Sequence, residues 1–382
     1  MNSKLIRDIN LSFVEKFGGN PLLIFSPGRI NLIGEHTDYN DGFVFPAAID
    51  KGIIMAVQQS NTDLCTIVAY DKKESYTFYL DDIQLVKSGA WQNYILGVIV
   101  ELQKKYFELN PFNIVFGGDI PIGAGLSSSA ALENSIVFGL NDLFQLGISK
   151  KEMIFISQKA EHNFVGVKCG IMDMYASMFG EENEFLLLDC RTIEAEPFQI
   201  DFGEYELVLI NTNVKHSLAD SAYNDRRMVC SNIAQISGKK ALRDVNEEDL
   251  LSIKELVSEE DYQKALYVIQ EIERTQLAAK ALVNNDLLRL GNLIYESHKG
   301  LQHQYKVSCE ELDFLVDRAK ESKTVIGARM MGGGFGGCTL NLIAKSETEK
   351  FIAYTTKEYK EKFNRDCSVY QVHLSKGTHI IG

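Results

Sequence analysis

Polar side chains able to do chemistry crowd one short stretch of the chain. In SPGRINLIGEHTDYNDG (26–42), Arg29, Glu35, His36, Asp38 and Asp41 follow the apolar run Leu22, Leu23, Ile24, Phe25, and Gly28, Gly34 and Gly42 punctuate them. A segment this polar beside a core strand is either a solvated loop or a site that holds something polar. A second candidate is Asp173 in CGIMDMYAS (169–177), set among Ile171, Met172, Met174 and Tyr175. A carboxylate in apolar company must be paired or must titrate outside its ordinary range, although a helix-capping or ion-paired aspartate fits the same composition. Glu161, upstream in KAEHNF, reads by itself as a surface helix charge. Tyr223 precedes Arg226 and Arg227 in NTNVKHSLADSAYNDRR (211–227), where a packed tyrosine on a solvated helix is the plain alternative. His298 and His303 are spaced off a single helix face, so the histidines predict no zinc site.

Two loops of small residues complete the inventory. PIGAGLSSSAALE (121–133) follows a strand-like run and precedes a helical one. Small residues let a backbone wrap closely around a ligand, and serines at a helix start add hydroxyls to unpaired N–H groups, which together make an anion site. A tight turn with a serine cap is the structural alternative. The loop is not a Walker A motif, because no lysine follows the glycines. A phosphate here would rely on backbone amides and hydroxyls. GARMMGGGFGGC (327–338) formally satisfies G-x-G-x-x-G at Gly332, Gly334 and Gly337. It fails as a dinucleotide fingerprint on context, since the strand-like CTLNLIA follows instead of a helix. The expectation is a loop lying against the first domain's site, with close packing of two backbones as the alternative.

The elements that must position these residues follow from periodicity. Residues 22–25, 53–57, 64–69 and 112–116 predict short strands. Leu132, Ile136, Leu140 and Leu143 predict a helix after the serines, and 150–180 is helical in part with a break at Gly170. FLLLDC (185–190) and ELVLINTN (206–213) read as strands. From about 215 to 320 the pattern is amphipathic and charged, with Asn246 and Asn285 where N-caps belong. TVIGARM, the glycine cluster and CTLNLIA then read as strand, loop and strand, and CSVYQVHLS (367–375) as a last strand. The fold class expected is α+β in two domains, 1–205 and 206–365, with the end of the chain, 366–382, a candidate to rejoin the first.

The whole chain narrows the function classes. It has 382 residues, 45% hydrophobic and 24% charged, as soluble globular proteins do. A net charge of −13 repels phosphate backbones and predicts no nucleic-acid partner. No run of about 18 apolar residues predicts a membrane span. The N-terminal MNSKLIRDINLSFVEKF lacks a signal peptide's apolar run. Seven scattered cysteines with no C-x-x-C predict reduced thiols, hence a cytoplasmic protein.

Taken in order, GRINLIGEHTDYNDG, PIGAGLSSSAAL and GARMMGGGFGGC resemble the three motifs of the GHMP small-molecule kinases, and the first is similar to that of the galactokinases among them. WQNYILGV (91–98), CGIMD, LLLDCR, VKHSLADSAYNDRR and YKVSCEELD extend the resemblance from about Pro27 to Cys338. It implies a two-domain GHMP kinase fold. The N-terminal domain would be like domain 2 of ribosomal protein S5, the C-terminal domain ferredoxin-like, and the active site would lie between them. It further implies transfer of the ATP γ-phosphoryl group to the C1 hydroxyl of α-D-galactose with Mg²⁺, giving galactose 1-phosphate for the Leloir pathway. By motif, Glu35, His36, Thr37, Asp38, Gly170 and Tyr223 are expected at the sugar. Asp173 matches the catalytic aspartate and Arg29 its basic partner. Gly123, Ala124, Gly125, Leu126, Ser127, Ser128 and Ser129 match the ATP phosphate loop, Ser129 and Glu161 the magnesium ligands, and Trp91 a segment bordering the adenine.

These roles are chemically coherent. A sugar hydroxyl is a very weak acid, so Asp173 would accept its proton while Arg29 stabilises the developing alkoxide. Alignment and charge neutralisation would supply much of the rest. Two positions depart from the family pattern: Met174 stands where Gln is usual and Met331 where Thr is usual, and both are expected to alter pocket polarity. The rival readings are a kinase for a related sugar such as N-acetylgalactosamine and a non-catalytic galactose- and ATP-sensing regulator. Regulators of that kind lack a Ser-Ala pair in the second motif, and here SSSAA is whole. The partners expected are galactose and ATP, without nucleic acid or membrane, and the chain is expected to be a monomer.

Overall fold

The computed structural model describes residues 1–87, 90–105, 108–121, 123–214 and 219–382. Ile122 of the small-residue loop and positions 215–218 of the segment before Tyr223 therefore lie outside the described residues.

Strands β1 (Leu22–Asn31), β3 (Pro46–Gln59), β4 (Cys65–Ala69), β5 (Glu74–Phe78), β6 (Phe112–Gly118) and β13 (His379–Ile380) form a six-stranded sheet in the order β13-β1-β3-β6-β4-β5. All its pairings are antiparallel except β4 with β6. Helix α1 (Ser3–Phe17) covers one face, placing Ile9 and Phe13 against Phe25, Ile54 and Val115. Helices α2 (Gln92–Lys104), α3 (Ser128–Phe144), α4 (Lys150–Ala160) and α5 (Met172–Phe179) cover the other, where Ile136 and Leu140 join Ile24 and Met55 in the main core. Strands covered on both faces read as continuous apolar runs with no alternation. This is why LLIF and GIIMAV announce strands but not their length; both run well past the expected ends.

Strands β2 (Phe43–Val44), β7 (Glu184–Asp189) and β8 (Glu194–Gln199) make a small sheet beside the first. Strands β9 (Tyr205–Asn211), β10 (Val325–Met330), β11 (Cys338–Ala344) and β12 (Ser368–Gln371) form a four-stranded antiparallel sheet in the order β10-β11-β9-β12. Strand β12 thus stays with this sheet, whereas β13 at the chain's end crosses back to pair with β1. Besides the two-residue β2 and β13, two longer strands escaped the sequence reading. Both β5 (ESYTF) and β8 (EAEPFQ, with Pro197) are edge strands, mostly solvent-facing, where polar residues and proline are tolerated.

The expected helical layer consists of α6 (Ala219–Ile236), α7 (Glu247–Ser252), α8 (Glu259–Val283), α9 (Leu287–His303) and α10 (Glu310–Glu321); α11 (Thr348–Phe363) follows β11. Asn246 caps α7 in a full capping box with Asp249. Asn285 does not cap α9. It sits at φ 54°, a left-handed position that asparagine tolerates, and Asp286 takes the cap by accepting from the Arg289 N–H.

Candidate active site

The site begins at an irregularity in β1. Its register against β3 shifts between Pro27 and Arg29, and bulges of this kind re-aim side chains. A Cβ at Gly28 would run into the Leu126 carbonyl, so glycine is what lets the small-residue loop lie on the strand. The Arg29 N–H donates to that same carbonyl at 3.1 Å. Its side chain, 4% exposed, then makes two bonds in different directions. Nε donates to Asp173 Oδ1 at 2.7 Å and Nη1 donates to the Gly125 carbonyl at 2.5 Å. Burial opposes the charge on Arg29, but Asp173, Glu35 and Asp38 outweigh it and push its pKa above the ordinary value. The apolar surroundings of Asp173 are thereby explained: the aspartate starts α5 and is ion-paired.

Arg29, Glu35, His36, Asp38, Glu161, Gly170, Asp173 and Tyr223 line one cavity of about 120 Å³, together with Val167, Cys169, Met172, Gly332 and Gly333. Most of the residues expected at the sugar and the catalytic pair therefore converge, although they come from β1, the turn after it, α5, α6 and the third motif. Glycines 332 and 333 put that third loop against the site, as its small residues suggest.

The turn after β1 is held from several sides. Gly34 adopts φ 100°, and its N–H donates to Glu271 Oε1 on α8 at 3.1 Å. His36 holds φ 64°, unusual for a non-glycine residue, with its carbonyl accepting from Asn40 Nδ2 at 2.9 Å. Burial holds the His36 imidazole neutral, with a pKa of about 3, and Nδ1 shares a hydrogen bond with the Tyr39 hydroxyl at 2.8 Å. Thr37 differs from its neighbours. Its hydroxyl donates to the Gly34 carbonyl at 2.9 Å and the Phe43 carbonyl at 2.6 Å, so it fastens the turn and does not line the cavity. Asp41, to which the sequence gives no role, sits 3.3 Å from Arg191 Nε, and its carbonyl accepts from Arg243 Nη1 at 2.9 Å.

Asp38 is a perturbed carboxylate facing the cavity. Burial raises its pKa to about 6, helped by the charges of Asp173 and Glu35, while N–H donation from Met172 and Tyr39 works the other way. Gly170 explains its placement: a Cβ there would overlap the Asp38 carboxylate. Gly170 is not in the left-handed region, so its backbone would accept alanine and the conflict is purely steric. Gly170→Ala is expected to displace Asp38 and raise the apparent sugar KM by about tenfold or more, with melting changed by only a few degrees. Steady-state kinetics beside a thermal melt check this.

A second cavity, of about 320 Å³, is lined by Trp91, Ser128, Ser129, Leu132, Phe116 and Ile120 among others. The loop Gly123, Ala124, Gly125, Leu126, Ser127 links the two cavities, with Gly125 bonded to Arg29 at one end and Ser128 opening α3 at the other. Gly123 has open space where a side chain would go; a Cβ at Gly125 would press on the Met331 carbonyl at 3.1 Å and one at Gly332 on the Gly125 carbonyl at 3.2 Å. Trp91 is fixed by its indole N–H, which donates to Glu74 at 2.7 Å.

The oxygen donors near this junction suit a hard cation. Glu161 lies in a π-helical turn, Glu161–Val165, a feature common at functional sites. Glu133, one helical turn beyond Ser129 on α3, is fully buried with no hydrogen bond to either oxygen among the described residues. Burial, Glu161 and Asp173 all push its pKa well above the carboxylate range. Among the described residues no group of three or more His, Cys, Asp or Glu is arranged to hold a metal unaided.

Comparison with known proteins places this geometry. A model for the galactokinase galactose-binding signature matches residues 11–59, and models for the GHMP kinases N-terminal and C-terminal domains match 93–181 and 278–360. A galactokinase from Thermosipho africanus is 40% identical over 352 residues, covering 92% of this chain and 97% of that one. One from Clostridium beijerinckii is 41% identical over 368 residues, covering 94% and 95%. The chain belongs to the galactokinase family. The crystal structure of Lactococcus lactis galactokinase complexed with galactose superposes with a TM-score of 0.93 at 33% identity, covering 98% of this chain and all of that one. A Methanococcus jannaschii mevalonate kinase, 16% identical with a TM-score of 0.64, shares the fold alone.

At two positions where this galactokinase-family chain departs from the usual motifs, the side chain lies outside the cavity lining. Met174 is fully buried on the core side of α5 and is not in the cavity lining. Met331 is also fully buried, with its sulfur accepting from the Asn31 N–H at 3.4 Å. Neither side chain therefore contributes directly to the polarity of the cavity wall. Sequence reasoning missed Cys169, Met172 and Val167 in the lining, since apolar and thiol side chains in a loop carry no chemical signature.

Proposed function

We propose that this protein is a galactokinase that transfers the γ-phosphoryl group of ATP to the C1 hydroxyl of α-D-galactose, yielding galactose 1-phosphate and ADP. The observation that carries this reading is the double engagement of Arg29, whose one side holds Asp173 in the sugar-facing cavity and whose other side holds the phosphate loop at Gly125. One buried cation thus ties the acceptor side to the donor side. The likeness to a galactokinase complexed with galactose supports the choice of sugar.

In this reading Glu35, His36 and Asp38 take the sugar hydroxyls, Gly170 leaves room for Asp38, and Tyr223 closes the cavity wall. The C1 hydroxyl gives its proton to Asp173 as its oxygen bonds to the γ-phosphorus. The bond to the β,γ-bridging oxygen breaks and ADP departs. Arg29 stabilises the charge growing on the sugar oxygen. The amides of 123–127 and the hydroxyls of Ser128 and Ser129 cradle the phosphates at the start of α3. Trp91 borders the adenine from its place in the larger cavity. Ser129 and Glu161 would hold Mg²⁺, which when bound neutralises phosphate charge.

The same reading keeps a domain division near residue 205. It is supported by sheet membership, because no strand of the six-stranded sheet comes from 206–365. A cytoplasmic location fits seven unpaired cysteines, and the reading further takes the protein as a monomer feeding the Leloir pathway; no described helix is long and apolar enough to cross a membrane.

Purified protein with ATP, Mg²⁺ and galactose, N-acetylgalactosamine, glucose or arabinose tests the substrate. ADP release is expected chiefly with galactose. Equal or better turnover of another sugar overturns the assignment, and binding without turnover of any of them makes the protein a sensor. Protonation of Asp38 gives a further check. With its pKa near 6, the ionised form that accepts sugar hydroxyls is lost as the pH falls through 6, so galactose competes with a proton. From pH 7 to pH 5 the galactose KM is expected to rise about tenfold while the ATP KM stays level. Asp38→Asn should remove that pH dependence, which kinetics with either substrate varied in turn would reveal.

A further inference from the structure

The third motif holds a side chain with no role so far. Arg329, in β10, has no solvent exposure, and a charge removed this far from water has to be fully bonded. Its Nε donates to the Leu32 carbonyl at 2.9 Å and Nη1 to the Met330 carbonyl at 2.7 Å. Nη2 donates to the Asn31 carbonyl. Nη1 and Nη2 both reach Glu35 Oε1, each at 3.0 Å. The guanidinium is therefore threaded into the turn of the first motif, almost three hundred residues away in sequence. The Gly332 N–H donates to the same Glu35 Oε1 at 3.0 Å.

The consequence is an asymmetric carboxylate. Three donors from the third motif grip Oε1, and among the described residues no donor is bonded to Oε2. Glu35 lines the sugar-facing cavity, so its second oxygen is left for the ligand. We propose that Arg329, with the Gly332 amide, is the positioning device for sugar recognition: it fixes the rotation of Glu35 so that one carboxylate oxygen reads one particular sugar hydroxyl. The glycine-rich third loop, which elsewhere packs on the phosphate loop, thereby also sets specificity on the sugar side. This deepens the galactokinase reading and rests on it.

Lysine cannot reproduce the fork that Arg329 makes, since it carries one compact ammonium in place of a planar guanidinium. The experiment compares galactose with its 2-, 3-, 4- and 6-deoxy analogues in the wild type, Glu35→Gln, Arg329→Lys and Arg329→Met. Glu35→Gln identifies the hydroxyl, as the analogue on which wild type and variant no longer differ. Arg329→Lys is expected to raise the galactose KM about tenfold, the size of one well-placed charged hydrogen bond, with the ATP KM within about twofold. On the identified analogue that loss should vanish. An equal loss on all five sugars, or a loss confined to kcat or to the ATP KM, would show that Arg329 only holds the fold. If neither Arg329 variant folds, the wild-type protein decides. The Arg329 Nε–H resonance should move on adding galactose and stay in place with the identified analogue, and an identical shift with both overturns the proposal. A wild type that phosphorylates no galactose refutes the substrate assignment instead, and the resonance test then uses whichever sugar it does bind.

Discussion

Replacing Asp173 by asparagine is expected to lower kcat by about a thousandfold while leaving galactose binding within a few-fold of wild type. Asparagine keeps the size of the side chain and an oxygen able to accept from Arg29 Nε, now 2.7 Å from Oδ1. What it removes is the capacity to take a proton. Arg29 stays in the field of Glu35 and Asp38, both of which raise its pKa, so loss of one partner does not strand it. The binding measurement, calorimetric titration of galactose without nucleotide, separates chemistry from recognition. Because the phosphoryl-transfer transition state is loose, a large part of the acceleration comes from alignment, and this limits the loss. A kcat within tenfold of wild type would mean that Asp173 only orients the hydroxyl, and the proton then leaves by another route.

The features legible in the sequence were those encoded locally. Glycine and serine spacing in 121–129 reports a loop that opens a helix whatever surrounds it, and the density of polar groups after β1 reports a turn that faces something polar. The helix 128–144 followed from periodicity, but that same periodicity held a warning that was not used. Glu133 falls on the face defined by Ile136 and Leu140, and it proves fully buried. Glu161 looked like a surface charge because a π turn breaks the regular spacing by which faces are judged. Only motif resemblance singled it out. Arg329 was passed over although VIGARM is otherwise an apolar strand, and the rule applied to Asp173, that a charge in apolar company needs a partner, applied there equally. Its partner could not be named from sequence, because Glu35 belongs to the other end of the chain. The same distance hid the contacts of Asp41 with Arg191 and Arg243. Strand lengths were lost for another reason: cover on both faces erases the alternation that marks where a strand stops.

Glu35→Ala is expected to be the most destabilising single change in the site, even without any sugar present. Arg329 has no exposed surface, and its carbonyl partners offer dipoles without a countercharge. Removing Glu35 therefore leaves a buried cation unneutralised, a situation that costs about 3–5 kcal/mol, and should lower the melting temperature by on the order of 5–10 °C. Glu35→Gln retains an acceptor at Oε1 for two guanidinium nitrogens and the Gly332 N–H but supplies no countercharge, so its loss should be smaller by the hydrogen bonds it keeps and still substantial. The decisive comparison is Glu35→Ala combined with Arg329→Met. If the penalty is the stranded charge, removing that charge restores stability, and the double variant melts above Glu35→Ala alone. If Glu35 stabilises mainly through packing of its methylene groups, the double variant is worse than either single change. Melting curves for the wild type, the two single variants and the double variant complete the cycle and give the coupling between the two residues directly. A strongly favourable coupling would mean that the first and third motifs fold as one unit around this pair, which is the mechanical condition for a loop near residue 332 to govern a carboxylate at residue 35.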